Sequence, residues 1–176
     1  KKKMLGLGHA ILTGETLIGD EPFAVLLADD LCENSENSVL SELIDIYNQY
    51  KCSVVAIEEV PMNQTHKYGI ILGNLIEGST NKYLVTDMVE KPKENNSPSN
   101  MAIIGRYILT PDIFKILKKI KPDKNGEIQI TEALQVQAKE SKVIAYKFKG
   151  KRFDCGDIEG FVKATNFYAK KQGISK

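Results

Sequence analysis

Three polar clusters, each standing where an apolar segment ends, carry the residues best suited to chemistry. Residues 89–92 (Val-Glu-Lys-Pro) set an acid beside a base where an extended segment meets a proline. Aspartates close two further apolar segments, at residues 27–30 (Leu-Ala-Asp-Asp) and 153–156 (Phe-Asp-Cys-Gly). Carboxylates bind divalent cations and a lysine neutralises phosphate as a compact charge. The three clusters together predict a metal and phosphate site.

The composition predicts one soluble globular domain that spans residues 1–176. The 176 residues are 42% hydrophobic and 27% charged, which suffices for a real core. The net charge of +1 argues against a nucleic-acid partner held by bulk electrostatics. No apolar segment approaches the roughly 20 residues that span a bilayer, and the N-terminal sequence lacks a signal-peptide pattern. We therefore expect a cytoplasmic protein without a membrane partner.

The three cysteines indicate reduced thiols rather than a metal site or a disulfide framework. The number of cysteines is odd, and no two of them have the short spacing typical of metal sites; they are Cys32, Cys52 and Cys155. We expect Cys32 and Cys52 to be buried structural thiols. Cys155 is not favoured as a nucleophile, because neither His9 nor His66 lies near it in sequence.

The first half of the chain has the pattern of a strand, a helix and a second strand. Residues 23–28 form a continuous apolar segment of strand length, as expected when both faces of a sheet are covered. Ser38 can cap an amphipathic helix, and residues 53–57 form another apolar strand. Such a unit normally gives parallel neighbouring strands with ligands at their carboxyl ends. Asp29 is predicted to lie at such an end.

The rest of the chain mixes extended and helical patterns in an α/β order. A short helix is predicted over residues 9–17. The later predictions are strands at residues 69–72, 83–90 and 102–109, a helix opened by Thr110, a helix capped by Thr131 that runs to about Lys139, a strand at 143–148 and an amphipathic helix from Asp157.

Residue types alone leave other interpretations of the polar clusters open. Asp29 and Asp154 also fit helix caps or turns. Glu90 and Lys91 also fit an exposed ion pair at a strand end, worth about 0–1 kcal/mol. A magnesium-dependent phosphohydrolase built on Asp29 and Asp30 is a further hypothesis.

Eight motifs in order make the chain resemble the family of bacterial UTP-glucose-1-phosphate uridylyltransferases, also called UDP-glucose pyrophosphorylases. The motifs are residues 6–10 (GLGHA), 28–30 (ADD), 67–69 (KYG), 89–92 (VEKP), 99–100 (SN), 104–107 (IGRY), 126–131 (GEIQIT) and 153–156 (FDCG). They cover nearly the whole chain. The resemblance implies an α/β, three-layer, Rossmann-like nucleotidyltransferase fold with a mixed, mainly parallel sheet.

One family feature has no counterpart in the sequence. Members of the family begin with a glycine-rich strand-to-helix loop and basic residues that hold the nucleoside triphosphate. We therefore expect the chain to start partway through the nucleotide-binding half, as part of a catalytic domain. A noncatalytic sugar-nucleotide-binding or subunit-assembly module is the alternative from a different class.

The resemblance implies a reaction in which glucose 1-phosphate attacks the α-phosphorus of UTP directly, giving UDP-glucose and pyrophosphate with Mg²⁺ as the cofactor. The attacking oxygen is already ionised near neutral pH, so no general base is required and His9 is expected only to start a helix. A homo-oligomer is expected for the complete protein, and UDP-glucose of this family commonly feeds polysaccharide biosynthesis. A relative that uses dTTP or another sugar phosphate remains open.

The resemblance also implies roles for individual residues. Asp29 and Asp154 would bind the metal ion, and Lys91 and Asp29 would be catalytic. The implied substrate-binding residues are Gly6, Gly8, Tyr68, Gly69, Glu90, Lys91, Asn100, Gly105 and Tyr107. Asp30 is expected either to orient Asp29 or to face solvent.

Within that set, each residue type suits its place. The Gly6 and Gly8 loop would let the backbone approach a base or ribose. Glu90 would bind glucose hydroxyls and Lys91 the sugar phosphate, which requires the chain to turn at Pro92 because adjacent strand residues point to opposite faces. The sugar ring is expected beside Gly69 and Gly105, with Tyr107 and Asn100 nearby, although Tyr107 also fits a packed strand residue.

Overall fold

The computed structural model describes residues 4–34, 36–93 and 96–174, which form six helices, a 3₁₀ turn and eight strands. The helices are α1 (Leu7–Thr13), α2 (Glu15–Ile18), α3 (Val39–Tyr50), α4 (Asp112–Leu117), α5 (Ile130–Lys139) and α6 (Ile158–Lys171), and the 3₁₀ turn spans Met62–Lys67. The strands are β1 (Phe23–Leu26), β2 (Asp30–Glu33), β3 (Ser53–Glu59), β4 (Gly69–Leu75), β5 (Lys82–Glu90), β6 (Met101–Leu109), β7 (Val143–Lys147) and β8 (Lys151–Asp154). None of the helices described has the length and apolar character needed to cross a membrane.

The main sheet is mixed and has the order β1-β6-β3-β7-β5-β4. Among the described strands, β3 and β7 are the one parallel pair, and the other neighbours are antiparallel. The α/β class and the mixed sheet are confirmed, but a mainly parallel sheet was the wrong expectation. The reason is that β4, β5 and β6 follow one another without a crossover helix, which antiparallel pairing allows.

The expected parallel neighbours, β1 and β3, do not touch in the sheet. Both pair antiparallel with β6, which lies between them and places Tyr107 opposite Val25 on one side and Val55 on the other. Strand β6 has nine residues, nearly all buried, so it takes the central position. Strand β1 alternates between half-buried and exposed residues, with Leu26 51% exposed. The expectation that both faces of residues 23–28 are covered is therefore wrong.

Helices cover both faces of the sheet, which confirms a three-layer arrangement. Alternate residues of β3 belong to different hydrophobic cores, Val55 to the side of α1, α4 and α5, and Val54 to the side of α3. On the α3 side Leu43 is fully buried. The apolar residues 54–57 are thus buried on two faces, the arrangement that the sequence analysis had expected for residues 23–28.

A second, two-stranded sheet carries two of the three polar clusters. Strands β2 and β8 pair antiparallel with Asp30 opposite Asp154. Helix α6 packs against β8 through Phe153, whose ring lies 5.1 Å from that of Phe167. The sequence did not predict this sheet, because its strands have four residues each and lack a long apolar pattern.

Ser38 forms the helix cap that the sequence predicted, and Asp157 caps the helix that was predicted to start there. The Ser38 hydroxyl oxygen accepts a hydrogen bond from the Ser41 amide at 3.1 Å, and a carboxylate oxygen of Asp157 accepts one from the Gly160 amide at 2.7 Å. No side-chain cap is formed at the start of α4 or α5. Thr110 and Thr131 make long-range hydrogen bonds instead, which are described below. The predicted helix over residues 9–17 is divided at Gly14 into α1 and α2.

A buried polar network joins helix α5 to the end of β6. The Gln137 side chain is fully buried; its amide nitrogen donates to the hydroxyl of Thr110 at 2.9 Å and to a carboxylate oxygen of Asp112 at 3.1 Å. Its amide oxygen accepts from the Ser53 hydroxyl at 2.9 Å. Every polar atom of this amide group is therefore paired, which is what burial requires.

We expect Gln137→Met to lower the free energy of unfolding by about 2 kcal/mol, because it leaves buried polar partners without hydrogen bonds while keeping the side-chain volume. Urea denaturation followed by circular dichroism measures the change. Gln49→Met on the exposed surface of α3 is the control and should change the free energy by less than about 0.5 kcal/mol. Equal effects of the two substitutions would contradict a stabilising network.

Candidate active site

A cavity of about 320 Å³ brings the polar clusters of the sequence together. Eight sequence-predicted residues line it: Asp29, Tyr68, Gly69, Glu90, Lys91, Gly105, Tyr107 and Asp154. Gly6, Gly8 and Asn100 are not among its lining residues. A neighbouring cleft of about 410 Å³, beside the 3₁₀ turn and α6, shares Lys67, Tyr68, Arg152 and Asp154 with it. These four residues therefore lie along the boundary between the two spaces.

Asp29 and Asp154, which we call the carboxylate pair, approach one another across the small sheet. The Cys155 amide donates to the Asp29 carbonyl oxygen at 2.7 Å, so the two loop ends are tied together. A Cβ atom at Gly156 would lie 3.1 Å from Asp154 Oδ1 and 3.3 Å from Asp29 Oδ2. The two carboxylate oxygens thus lie close to one another beside Gly156, on the side where a side chain at that position would point.

The carboxylate pair fits a magnesium ion. Mg²⁺ in phosphoryl-transfer sites is commonly bound by one or two carboxylates, with substrate phosphates and waters as the other ligands. The two oxygens that flank Gly156 supply such a donor set. Within residues 4–34, 36–93 and 96–174, no group of three or more His, Cys, Asp or Glu side chains is arranged to hold a metal ion.

Arg152 is the functional residue that the sequence analysis missed. Its guanidinium bonds three carboxylates: Nε donates to Asp30 at 2.5 Å, Nη1 to Glu58 at 2.7 Å and Nη2 to Asp154 at 3.1 Å. The group also lies over the ring of Tyr68, 5.1 Å from its centroid. We call these five residues the arginine cluster. Its sequence signal was the spacing of Arg152 and Asp154 by two residues, which puts them on one face of a strand.

Arg152 stays charged in this setting. Its side chain is only 7% exposed. Burial by itself lowers the pKa of Arg152, but hydrogen bonds to Tyr68 and Asp30, together with the charge of Asp30, raise it above its ordinary value. Three carboxylates around one guanidinium leave the arginine cluster negative, which suits a nearby cation.

Asp30 belongs to the protein interior and does not face solvent, so that part of its expected role is wrong. The residue is 4% exposed, and one carboxylate oxygen binds Arg152 while the other accepts from the Gly105 amide at 2.7 Å. Arg106 holds the same turn by donating to the carbonyl oxygens of Leu27 at 3.1 Å and Asp30 at 2.5 Å. Both carboxylate oxygens of Asp30 are occupied, so a phosphohydrolase that uses Asp29 and Asp30 together is not supported.

Glu90 and Lys91 both reach the cavity because the chain turns at Lys91 itself. Lys91 has φ +43°, which takes it out of the extended conformation of β5. Its Nζ lies 3.8 Å from Glu90 Oε1, and its side chain is 57% exposed. The expected turn therefore comes one residue before Pro92. The other Glu90 oxygen accepts a hydrogen bond from the Thr131 hydroxyl at 2.6 Å, which fixes the carboxylate.

Two glycines of the cavity make room for protein groups. A Cβ atom at Gly69 would lie 2.9 Å from Thr131 Oγ1 and 3.2 Å from Glu90 Oε2. A Cβ atom at Gly105 would lie 2.6 Å from the Cβ of Leu27. Such distances exclude a side chain at these positions without rearrangement. We expected a sugar ring beside these glycines. Instead, the space that each would fill with a side chain is occupied by neighbouring protein atoms.

Gly6 and Gly8 approach the backbone of a neighbouring segment. The Gly8 amide donates to the Ile128 carbonyl oxygen at 2.9 Å, and the Ile128 amide donates to Leu5. A Cβ atom at Gly6 or Gly8 would lie within 2.8 Å of the same Ile128 oxygen. Gly6 also has φ +89°, a conformation that favours glycine. In this loop it is Leu7 that lines the cavity.

Tyr107 lines the cavity as a packed residue of the central strand, whereas Asn100 is not among the cavity's lining residues. Tyr107 is 5% exposed and packed in the central strand, as the alternative interpretation predicted. Burial raises its pKa, and the charges of Glu90 and Asp30 raise it further, so the phenol remains protonated. The Asn100 carbonyl oxygen accepts from the Val60 amide at 3.0 Å, where β3 ends.

Two of the cysteines are inert at neutral pH. Burial raises the pKa of Cys32 to about 11 and also raises that of Cys52. Cys52 is buried and Cys32 is partly buried, and neither forms a disulfide. Both therefore behave as the structural thiols that the sequence predicted.

We expect Asp30→Ala to lower the free energy of unfolding by about 3–5 kcal/mol, because it leaves the buried Arg152 without its closest carboxylate. Asp29→Ala is the matched control, since Asp29 is the adjacent residue and is exposed; it should change the free energy by less than about 0.5 kcal/mol. Denaturant unfolding of the two variants measures both values. Equal losses from the two variants would contradict the structural role of Asp30.

Known proteins resemble this chain along almost its whole length. A UTP–glucose-1-phosphate uridylyltransferase of Pseudomonas aeruginosa is 61% identical over 166 residues, which are 94% of this chain and 59% of the relative. One of Staphylococcus epidermidis is 46% identical over 171 residues, 97% of this chain and 58% of the relative. The chain thus spans less than two thirds of the length of these curated relatives.

A solved structure has the same fold. UDP-glucose pyrophosphorylase complexed with UDP-glucose superposes with a TM-score of 0.91 at 59% sequence identity, over 97% of this chain and 65% of that one. The pattern of the nucleotidyl transferase family matches residues 1–171. This chain belongs to the nucleotidyl transferase family.

Proposed function

We propose that the complete protein transfers a uridylyl group from UTP to glucose 1-phosphate, giving UDP-glucose and pyrophosphate. One observation carries the proposal: the cavity joins the carboxylate pair to Glu90 and Lys91, so that groups suited to a cation, a phosphate and sugar hydroxyls face one space. The names of the relatives and the UDP-glucose complex support the choice of substrates.

Glu90 and Lys91 would bind the sugar phosphate. Thr131 occupies one oxygen of Glu90, which leaves the other to accept hydrogen bonds from sugar hydroxyls. Lys91 is exposed on the cavity wall, where its ammonium group can neutralise phosphate. Together they would hold the attacking phosphate oxygen in place, and alignment of this kind contributes several kcal/mol to catalysis.

Asp29 and Asp154 would hold Mg²⁺ between their carboxylate groups, near Gly156. When bound, the ion supplies charge neutralisation for the phosphate groups of the two substrates. The phosphate monoester is already ionised, so the residues of the site need to orient it and need not remove a proton. We propose direct in-line transfer without a covalent intermediate on that basis.

Sugar-nucleotide binding without turnover is a second candidate for this chain by itself. The chain holds the carboxylate pair, Glu90 and Lys91, yet spans only 59% of the Pseudomonas relative. For the complete protein, rates with UTP against dTTP, and with glucose against galactose 1-phosphate, would separate uridylyl transfer to glucose from related reactions.

We also propose a cytoplasmic location, assembly of the complete protein into a homo-oligomer, and a supply of UDP-glucose for polysaccharide biosynthesis. Helix α6 supports the assembly, because Ile158 is 84% exposed and Phe161 is 60% exposed. Exposed apolar residues of this kind commonly mark contact surfaces.

We expect UDP-glucose to bind this chain more tightly with Mg²⁺ than without it, and the Mg²⁺ effect to disappear in Asp154→Asn. Calorimetry on the folded chain measures both.

In the complete protein, Asp29→Asn or Asp154→Asn should abolish Mg²⁺-dependent turnover and leave the circular dichroism spectrum unchanged. Near-normal turnover in both variants would overturn the metal assignment, and a rate with dTTP equal to that with UTP would overturn the assigned nucleotide.

We expect Thr131→Val to weaken UDP-glucose binding about tenfold, because the Glu90 carboxylate loses the hydroxyl that fixes it and the side-chain shape is kept. Thr131→Ser is the matched control; it retains the hydroxyl and should bind within about twofold of the wild type. Calorimetry under identical salt and Mg²⁺ measures both affinities. Wild-type affinity in Thr131→Val would show that Glu90 does not depend on this hydrogen bond.

A further inference from the structure

We propose that Arg152 is the positioning residue of the carboxylate pair: its guanidinium holds Asp154 so that Oδ1 faces Asp29. The inference rests on the proposed function, in which Asp29 and Asp154 bind the metal ion. Arg152 would thus set the relative position of the two metal-binding carboxylates, although it contacts neither the substrate nor the metal ion in the proposal.

The two oxygens of Asp154 have different partners. Oδ2 accepts from Arg152 Nη2 at 3.1 Å and from the Tyr68 hydroxyl at 3.4 Å. Oδ1 accepts from the Gly156 amide at 3.1 Å and, like Asp29 Oδ2, lies on the side of Gly156 where a side chain would point. The side chain is 39% exposed, so packing alone does not fix its rotamer. The contacts of Arg152 and Tyr68 to Oδ2, together with the Gly156 amide on Oδ1, therefore hold Oδ1 toward Asp29.

The guanidinium itself has no freedom to turn. The hydrogen bonds that the planar guanidinium donates to Asp30 and Glu58 fix the plane and the rotation of the group. The ring of Tyr68 covers one of its faces. A lysine ammonium cannot reproduce these directed contacts, because it is a single point charge on a flexible stem. Nη2 is thus held in a set position toward Asp154.

The anchor of Arg152 is tied to the central sheet. Asp30 binds Nε of Arg152 with one oxygen and the amide of Gly105, in β6, with the other. Glu58 belongs to β3, the neighbour of β6. The position of the central strands is thereby transmitted through Asp30 and Arg152 to Asp154, which stands at the end of the small strand β8. Supporting residues of this kind typically change metal affinity 10–100-fold when they are replaced.

Mn²⁺ binding to this chain tests the inference without an activity assay. Mn²⁺ is paramagnetic and broadens the amide resonances of Cys155 and Gly156 in a ¹H–¹⁵N spectrum when it binds the carboxylate pair. We expect Arg152→Lys to raise the Mn²⁺ concentration for half-maximal broadening about tenfold or more. Arg106→Lys is the matched control, because the Arg106 guanidinium donates to the backbone carbonyl oxygens of Leu27, Gly105 and Asp30 and not to the carboxylate pair. It should lower thermal stability and keep the wild-type Mn²⁺ affinity.

A second variant covers the case in which Arg152→Lys does not fold. Asp30→Asn combined with Arg152→Gln removes both buried charges together, which avoids an unpaired buried charge. We expect the same loss of Mn²⁺ affinity from it. Wild-type affinity in a folded Arg152 variant, or an equal loss in Arg106→Lys, would overturn the positioning role and leave the proposed function intact. Absence of broadening at Gly156 in the wild type would overturn the metal assignment and the inference with it.

Discussion

The buried ion pair between Arg152 and Asp30 is the interaction on which the rest of the site depends. A carboxylate that is 4% exposed requires a charged partner, since burial of an unpaired charge costs several kcal/mol. Arg152 supplies that partner from β8, and Gly105 supplies an amide from β6. The small sheet is thereby held to the large one. The cavity lies where they join, so its shape follows from this contact.

The groups of the site differ in how firmly they are held. Asp154 and Glu90 line the cavity with carboxylates that are held by protein donors, Asp154 by Arg152 and the Gly156 amide, and Glu90 by Thr131. Asp29 and Lys91 are exposed, which leaves them free to adjust to a ligand. Such an arrangement combines preorganised groups with adaptable ones. Preorganised polar groups reduce the cost of reorganisation when charge develops in a reaction.

The same clusters show how neighbouring residues acquire different roles. Asp29 and Asp30 are adjacent, yet one is exposed at the cavity and the other is buried in an ion pair. The chain reverses its side-chain direction there because it enters β2 at Asp30. Likewise, Glu90 ends β5 and Lys91 leaves the extended conformation, which allows both side chains to face the cavity. In both places the end of a strand, more than the residue type, decides the role.

The sequence by itself determined the features that depend on local pattern. Residues 54–57 are apolar without interruption because both faces of β3 are buried, and Ser38 and Asp157 stand at helix starts, where their side chains reach amides three residues away. The three polar clusters were also visible, since each follows an apolar segment. These are short-range properties, set by residues that are neighbours along the chain.

Only the tertiary structure decided the features that join distant residues. The insertion of β6 between β1 and β3, the pairing of β2 with β8 and the convergence of Asp30 and Glu58 on Arg152 all involve residues far apart in sequence. The hydrophobic periodicity of a strand does not specify which other strand will pair with it. The glycines show the same limit: Gly6, Gly8, Gly69 and Gly105 were recognisable as close approaches, but what approaches each of them is set by the packing of remote segments. The physical reason is that a local pattern specifies which face is buried, whereas only the folded chain specifies the surface against which it is buried.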